Sequence, residues 1–462
     1  MKRFLVVGIV MFLMASMVPR VSRASGAKPA ADDIARHIVS LSGRADNPKG
    51  VCVVPEGGEL AFAMLRNSDF YVLAQEDRPK KRQDLCARAE QLQLLGRRMA
   101  IVAGQRATTP LGDRVANLYV RRKLTNEQLK ELDARGVLGL LAPSGGCAIV
   151  GRAGKGAGRL DETLLRKWLS SSGLSEEHWT VHGDDRGLWG VLRRPSLPGA
   201  DDWTHRSHGA DNNPASTDTA FRWPPTVQWF DRPLHNGYSV LLVQDGIMVG
   251  ITPPANSLTG NKPIGNRREV NTLIARDLYN GKVLWTRSFP ETYAADVRNG
   301  TAVMHDGLVY LLDPVGPAIQ VLDALTGRTV ERFEYPELGA QLEGLRRAGR
   351  LGYILAGKED TIGGGGEYKW WSSVYGTRQV EERLTGDTLA CVRLADGKVL
   401  WRHEETTNCI HESAVAVAGD HVYLLARHRG AVCLDAETGR TRWVSGDVDK
   451  AIDGLDLGVG GW

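Results

Sequence analysis

The sequence has no C-x-x-C motif and no adjacent cysteine pair, no long apolar run beyond Val18, and almost no net charge once its first residues are set aside. Each absence excludes something. Cys52, Cys86, Cys147, Cys391, Cys409 and Cys433 are dispersed, so neither a zinc ribbon nor a dithiol redox motif has a local signature, although distant thiols of an exported chain can still pair. No downstream segment approaches the roughly 20 apolar residues of a spanning helix, so a membrane-spanning mature protein is not expected. The formal charge of +4 falls to zero when Lys2, Arg3, Arg20 and Arg23 are removed, because no acid accompanies them. Sequence-independent nucleic-acid binding, which rests on clustered Lys and Arg, therefore loses its support.

What is present begins with a leader. Lys2 and Arg3 precede an apolar run from Phe4 to Val18 and a small-x-small site, Ser22-Arg23-Ala24. This pattern predicts a signal peptide over residues 1–24, cleaved after Ala24, and an exported protein that is periplasmic or otherwise extracytoplasmic. No cysteine lies near the site to carry a lipid anchor.

Residues 31–195 alternate short apolar runs with helical stretches, the pattern of a doubly wound α/β sheet. Strands are expected at 51–54, 70–75, 98–103, 115–120 and 147–151, helices at Pro79–Leu95 and Asn126–Leu141, and a hairpin within 178–193. A turn, "PEGGEL", follows the first strand, and Glu76 and Asp77 end the second. In such folds a Gly-rich turn admits a ligand to bare backbone, and a later acid accepts ribose hydroxyls. The stretch resembles a class I S-adenosylmethionine (SAM)-dependent methyltransferase domain. The resemblance implies a cofactor site at Gly57, Gly58 and Glu76. It departs from the family at the first turn, where Val54 and Glu56 stand in two of the three glycine positions. A degenerate, Rossmann-like domain is the expectation.

Residues 200–462 repeat themselves. "ARDLYNGKVLW", "VLDALTGRTVERF", "CVRLADGKVLW" and "CLDAETGRTRW" place Gly281, Gly327, Gly397 and Gly439 at separations of 46, 70 and 42 residues. A period of about 40–50 residues marks a propeller or a related array, and the longest gap reads as one period with an insertion. Alternating polarity around Gly- and Asp-containing turns predicts antiparallel blades, with Asn280-Gly281 and Asp396-Gly397 as hairpin turns. Trp285, Trp401 and Trp443 follow their glycines by four residues, with Glu331 and then Phe333 in the second unit. Asp277, Asp323 and Asp435 can hold the corners through backbone amides. Cys391 and Cys433 share a register with Ala275 and Val321, so buried small apolar residues are expected there.

These units resemble the pyrroloquinoline quinone (PQQ) repeat of quinoprotein-type β-propellers, whose Asp-, Gly- and Trp-containing corner docks neighbouring blades. Docking roles therefore fall to Gly281, Trp285, Gly327, Gly397, Trp401, Gly439 and Trp443. The lead-in from Asp201 to Trp229 resembles the start of such propellers, and the domain order resembles exported bacterial PQQ-like repeat proteins with an N-terminal methyltransferase-like domain. Four blades are recognisable, whereas propellers carry about four to eight; the tail, "DVDKAIDGLDLGVGGW", begins as another strand would.

For the dehydrogenases of that family the resemblance implies PQQ beside a vicinal disulfide, with Ca²⁺ on oxygen ligands and an Asp base. This chain has no Cys-Cys pair. The expectation is therefore a non-catalytic binding or scaffold propeller, similar in kind to the outer-membrane assembly factor BamB. A PQQ-dependent dehydrogenase and a SAM-dependent methyltransferase are the alternatives, each carrying its own cofactor. Two insertions, with Arg267 and Arg268 in one and Tyr368, Trp370 and Trp371 in the other, would share one face and offer contacts to a protein or glycan partner. His205 and His208 have metal-pair spacing, but their Asn- and Pro-rich surroundings favour structural roles, as the extended setting does for Cys409 and His411.

Overall fold

The computed structural model describes residues 29–104, 109–154, 160–224, 227–230, 240–252, 272–288, 300–313, 316–339, 341–357, 385–405, 410–411, 414–426 and 429–446. The signal peptide expected over 1–24 and the insertions with Arg267, Arg268, Tyr368, Trp370 and Trp371 lie outside these residues. Among the described residues no helix is long and apolar enough to cross a membrane.

The N-terminal part opens with α1 (Pro29–Leu41), then β1 (Val51–Val54), α2 (Gly58–Asn67), β2 (Tyr71–Gln75), α3 (Pro79–Gln91), β3 (Met99–Val102) and β4 (Leu118–Arg121). It continues through α4 (Asn126–Glu131), α5 (Ala134–Leu140), β5 (Cys147–Ala153), α6 (Glu162–Ser170), β6 (Trp179–Asp184) and β7 (Gly187–Arg193). The sheet runs β3-β2-β1-β4-β5-β7-β6, parallel except for β7, which pairs antiparallel with both neighbours. Its strands are near-continuous Val, Ile, Leu and Ala because both faces are covered, as a parallel sheet requires. One apolar core packs α1 and α2 on one face, and a second packs α4, α5 and α6 on the other.

The single helix expected over Asn126–Leu141 is two. Thr125 and Gln128 form a capping box at α4, and Asp133 accepts from the amides of Arg135 and Gly136 to start α5 anew. A cap in mid-pattern satisfies amides that a continuous helix would have bonded to carbonyls, so the chain turns there.

Four antiparallel sheets follow. Blade 1 is β8 (Val240–Gln244), β9 (Ile247–Thr252), β10 (Thr272–Asp277) and β11 (Val283–Ser288). Blade 2 is β12 (Ala302–His305), β13 (Leu308–Leu312), β14 (Ala318–Asp323) and β15 (Thr329–Glu334). Blade 3 begins with β16 (Gln341–Ala348) and β17 (Leu351–Gly357); the two-residue β18 (Thr385–Gly386) crosses to the next sheet before β19 (Thr388–Arg393) and β20 (Lys398–Glu404) complete it. Blade 4 holds β21 (Ile410–His411), β22 (Ala416–Ala418), β23 (His421–Ala426), β24 (Gly430–Asp435) and β25 (Thr441–Ser445). The first strands β8, β12, β16 and β22 lie against one another in succession, the propeller arrangement, and apolar clusters fill the spaces between blades.

The repeat corners are not two-residue turns. Asp277 N donates to Lys282 O and Gly281 N to Asp277 O, which closes a four-residue loop with its glycine left-handed at φ 69°. A β-bulge follows in the paired strand in every blade. Two-residue hairpins of the primed type need positive φ at the first loop residue as well, and Asn280 does not adopt it.

The two parts meet through the N-terminal ends of the parallel strands. Asn117, fully buried, accepts from Val51 N at 2.8 Å and donates to Asp277 Oδ2 at 2.5 Å, while Asn280 Nδ2 donates to Asn117 Oδ1 at 2.7 Å. Lys49 Nζ donates to Leu284 O, Asn47 to Leu325 O, and Lys282 sits over the Tyr71 ring at 4.4 Å. The propeller thus covers the end of the sheet opposite to its ligand crevice.

Candidate functional site

In an open α/β sheet the ligand crevice lies at the carboxyl ends of the strands, where the order reverses, here between β1 and β4. A cleft of about 540 Å³ occupies this place. Glu56, Gly57 and Gly58 line it after β1, Glu76 and Arg78 after β2, and Arg122 and Lys123 after β4, with Lys81 and Arg88 from α3. Gly57 (φ 55°) and Gly58 (φ 68°) supply the left-handed turn that lets α2 begin directly after β1. The cleft therefore brings together Gly57, Gly58 and Glu76.

Three of its carboxylates, Glu56, Glu59 and Glu76, are engaged by the chain's own donors, with Glu56 Oε2 left buried and unpaired. Arg78 grips Glu76 with two bonds, Nε to Oε1 at 2.7 Å and Nη2 to Oε2 at 3.0 Å, and Arg78 N adds a third contact. These hydrogen bonds hold the Glu76 carboxyl below the usual carboxylate range. Arg82 donates to Glu76 O, and Arg88 pairs with Glu59 at the first turn of α2. Glu56 folds over the turn, accepting from Lys123 N at 3.2 Å and lying 4.0 Å from the buried Arg121. Burial lowers the Arg122 pKa in the same wall. SAM would need Glu76 free for its ribose and bare backbone at position 56. The residues present do not fit that group: a guanidinium fills the first place and a carboxylate the second.

The repeat corners carry a second constellation. A Cβ at Gly281 would lie 2.4 Å from Trp229 Cε3, at Gly327 2.5 Å from Trp285 Cδ2, at Gly397 2.4 Å from Phe333 Cδ1, and at Gly439 2.5 Å from Trp401 Cδ2. Each aromatic ring thus rests on the corner of the following blade where only glycine admits it. The indoles also donate to the carbonyl three residues before that glycine: Trp229 to Leu278 O at 2.7 Å, Trp285 to Ala324 O at 2.8 Å and Trp401 to Ala436 O at 3.1 Å. Asp277, Asp323 and Asp435 accept from the corner amides of Asn280, Thr326 and Thr438. Within each blade Trp285 pairs with Ala275, Trp401 with Cys391 and Trp443 with Cys433, which seats both cysteines in the core as free thiols.

Two members of this set have no seat that the sequence pattern assigns. Phe333 takes over from Glu331 because it lies two residues further along β15, facing the same way as Glu331, and reaches the blade 3 corner. Trp229, outside any repeat, takes the place of a preceding blade's tryptophan on Gly281. Trp443 rests on no described corner and is 46% exposed.

The histidine pair separates into two structural roles. His205 is buried, accepting from Arg347 N at 3.0 Å, and burial lowers its pKa to about 3. His208 Nε2 meets Asp201 Oδ2 at 2.8 Å. Cys409 lies outside the described residues, as does the side chain of His411.

Residues 385–451 match the family described as outer membrane protein assembly factor BamB. No curated protein matches the chain. Among solved structures it is similar to BamB from Moraxella catarrhalis (15% identity, 45% of this chain and 48% of that one, TM-score 0.27). It is similar also to a quinohemoprotein alcohol dehydrogenase from Pseudomonas putida HK5 (14% identity, 54% of this chain and 48% of that one, TM-score 0.31). The chain spans about half of each of these two. A SAM-dependent methyltransferase from Aquifex aeolicus is similar over 36% of this chain and 93% of that one, at 12% identity and TM-score 0.29. The family match is thus confined to residues 385–451, in the last two of four antiparallel sheets that follow a seven-stranded α/β region.

Proposed function

We propose that the protein is an exported, non-catalytic scaffold whose propeller binds a protein or glycan partner and whose Rossmann-like domain, residues 31–195, has lost cofactor binding. The observation that carries this reading is the bidentate Arg78–Glu76 pair, which fills the ribose-binding place of the cleft with the chain's own charges. Releasing Glu76 would cost two charge-assisted hydrogen bonds before any ligand contact forms, and such bonds are the stronger kind. The propeller supports the reading through its sequence: without a vicinal cysteine pair it lacks the disulfide beside which the related dehydrogenases hold PQQ.

Partner contacts are assigned to the two insertions, which follow the second strands of blades 1 and 3. Arg267, Arg268, Tyr368, Trp370 and Trp371 are the contact-prone residues there. The leader expected over residues 1–24 and the BamB-like match at residues 385–451 support an extracytoplasmic placement.

The test has two arms on purified mature protein. Titration with PQQ and Ca²⁺, followed by tryptophan fluorescence, is expected to give no saturable change; saturation would make the propeller a cofactor site. Affinity capture from the extracytoplasmic fraction is expected to recover a partner that is lost when Trp370 and Trp371 are both replaced by Ala. Capture that survives the double replacement removes these loops from the reading.

A further inference from the structure

The cleft of the α/β part has two walls, and only the one at Glu76 is filled by a tight internal pair. At the other wall α2, ten residues long, starts with Gly57 as its N-cap and no side chain capping its first amides. A Cβ on Gly58 would meet nothing within 4 Å, so the space over this first turn is open. Arg122 and Lys123, just after β4, and Lys81, from α3, line the same cleft, and among the described residues no acceptor bonds these three side chains. Arg121 lies beneath them with its side chain 4% exposed and its Nε without a partner. Glu56 is the carboxylate set against these cations, and it is poorly seated. It accepts one bond, from Lys123 N at 3.2 Å; its Oε1 lies 4.0 Å from Arg121 Nε, beyond hydrogen-bond reach, and its Oε2 is buried with no partner. A buried carboxylate oxygen and a buried guanidinium N–H left unpaired side by side both raise the energy of this arrangement.

We propose that this wall is an oxyanion site in which Glu56 is a placeholder, and that a phosphate group, free or as a monoester, displaces its carboxylate to bind Arg122, Lys81 and the first amides of α2. The start of a helix presents N–H groups and partial positive charge to an anion, and a guanidinium fork matches phosphate oxygens two at a time. Arg122 is half-buried, and burial lowers its pKa, as expected of a cation that has lost water without gaining a hydrogen-bonded counter-ion. An oxyanion supplies that counter-ion, and Glu56 released to solvent regains hydration at both of its oxygens. Charge decides which anion. Of the five cations in the lining, Arg78 and Arg88 are paired with Glu76 and Glu59. Lys81, Arg122 and Lys123 then face only the exposed Asp84 once Glu56 has swung out, a balance of two positive charges that suits a dianion. A phosphate also has more acceptor oxygens than the carboxylate it replaces, enough for the guanidinium and the helix amides together. This inference goes beyond the scaffold reading, which concerns the ribose place and the propeller.

Isothermal titration of the full chain with inorganic phosphate, at constant ionic strength in chloride, tests it, with glycerol 1-phosphate and SAM titrated in parallel. The wild type is expected to bind phosphate saturably. Glu56→Gln keeps the size of the side chain and removes the competing charge, and is expected to bind severalfold tighter. Arg122→Met is expected to bind about tenfold weaker or worse, the worth of one hydrogen bond to a charged group. Lys81 is exposed, so Lys81→Met keeps the fold and should weaken binding severalfold even where Arg122→Met fails to fold. Tighter binding of glycerol 1-phosphate than of phosphate assigns the site to esters, and the reverse order assigns it to the free ion. The inference is overturned by a wild type that gives no saturable heat with either probe, by a Glu56→Gln variant that binds no tighter, or by a Lys81→Met variant that binds as the wild type does. Saturable heat with SAM would overturn the loss of cofactor binding, whereas the phosphate titrations alone decide this inference.

Discussion

Two glycines of blade 2 share nearly the same φ and differ in what surrounds them, which makes the blade interlock measurable. At Gly307 (φ 72°) a Cβ would meet nothing within 4 Å, whereas at Gly327 (φ 71°) it would lie 2.5 Å from Trp285 Cδ2. Replacing either by Ala forces an L-residue into the left-handed region, at about 1–2 kcal/mol. Part of this is offset because Ala restricts the unfolded chain more than Gly does, by about 0.4–1 kcal/mol. Both terms are common to the two variants. Only Gly327→Ala also drives a methyl into the Trp285 ring. That ring is 7% exposed and tied to Ala324 O at 2.8 Å, so it cannot retreat without breaking its hydrogen bond. Overpacking of this kind costs about 1–3 kcal/mol.

Gly327→Ala is therefore expected to be less stable than Gly307→Ala by about 1–3 kcal/mol, read from urea unfolding followed by tryptophan fluorescence. In a Trp285→Ala background the excess should vanish, because the group it clashes with is gone. Equal losses for the two single variants, or an excess that persists without Trp285, would refute the interlock as the source of blade cohesion.

Further consequences follow from buried polar groups. His205 has a folded pKa of about 3 against 6.5 when unfolded, set by burial and then by Arg346 and His305. Its contribution to stability is complete above pH 6.5 and falls as the pH drops from there towards 3, with a slope of up to about 1.4 kcal/mol per pH unit; His205→Gln should flatten the urea midpoint between pH 7 and pH 5. Asn117→Ala strips the buried amide of Val51 of its acceptor and Asp277 of a donor, at about 1–3 kcal/mol for each group left unpaired. Calorimetry should then show the two parts of the chain unfolding further apart in temperature, whereas a single unshifted transition would remove Asn117 from the coupling.

The parallel strands were legible because a sheet covered on both faces writes each strand as an unbroken apolar run, and all five expected strands lie where those runs are. The repeat was legible for a different reason. A corner that must admit an aromatic ring tolerates only glycine, so glycine and tryptophan recur at fixed separation. What stayed hidden was set by tertiary contacts. Asp133 reads as one more polar residue in a helical stretch until its carboxylate is seen capping α5. Phe333 replaces Glu331 only because blade 3 presents its glycine there. The spacing of Glu76 and Arg78 gave no sign that they would close on each other across the start of α3 and fill the cleft. Gly57, Gly58 and Glu76, singled out by their spacing, do line one cleft, while its contents depended on side-chain pairing that has no period.

Isothermal titration of the mature protein with S-adenosylmethionine bears most directly on the claim that the α/β domain is a retained scaffold with a self-filled cleft. The account requires no saturable heat from the wild type, with weak binding appearing at most when Glu56→Gly and Arg78→Ala are combined to reopen the turn and release Glu76. Stoichiometric, saturable binding by the wild type would contradict it and would make the cleft a working cofactor site.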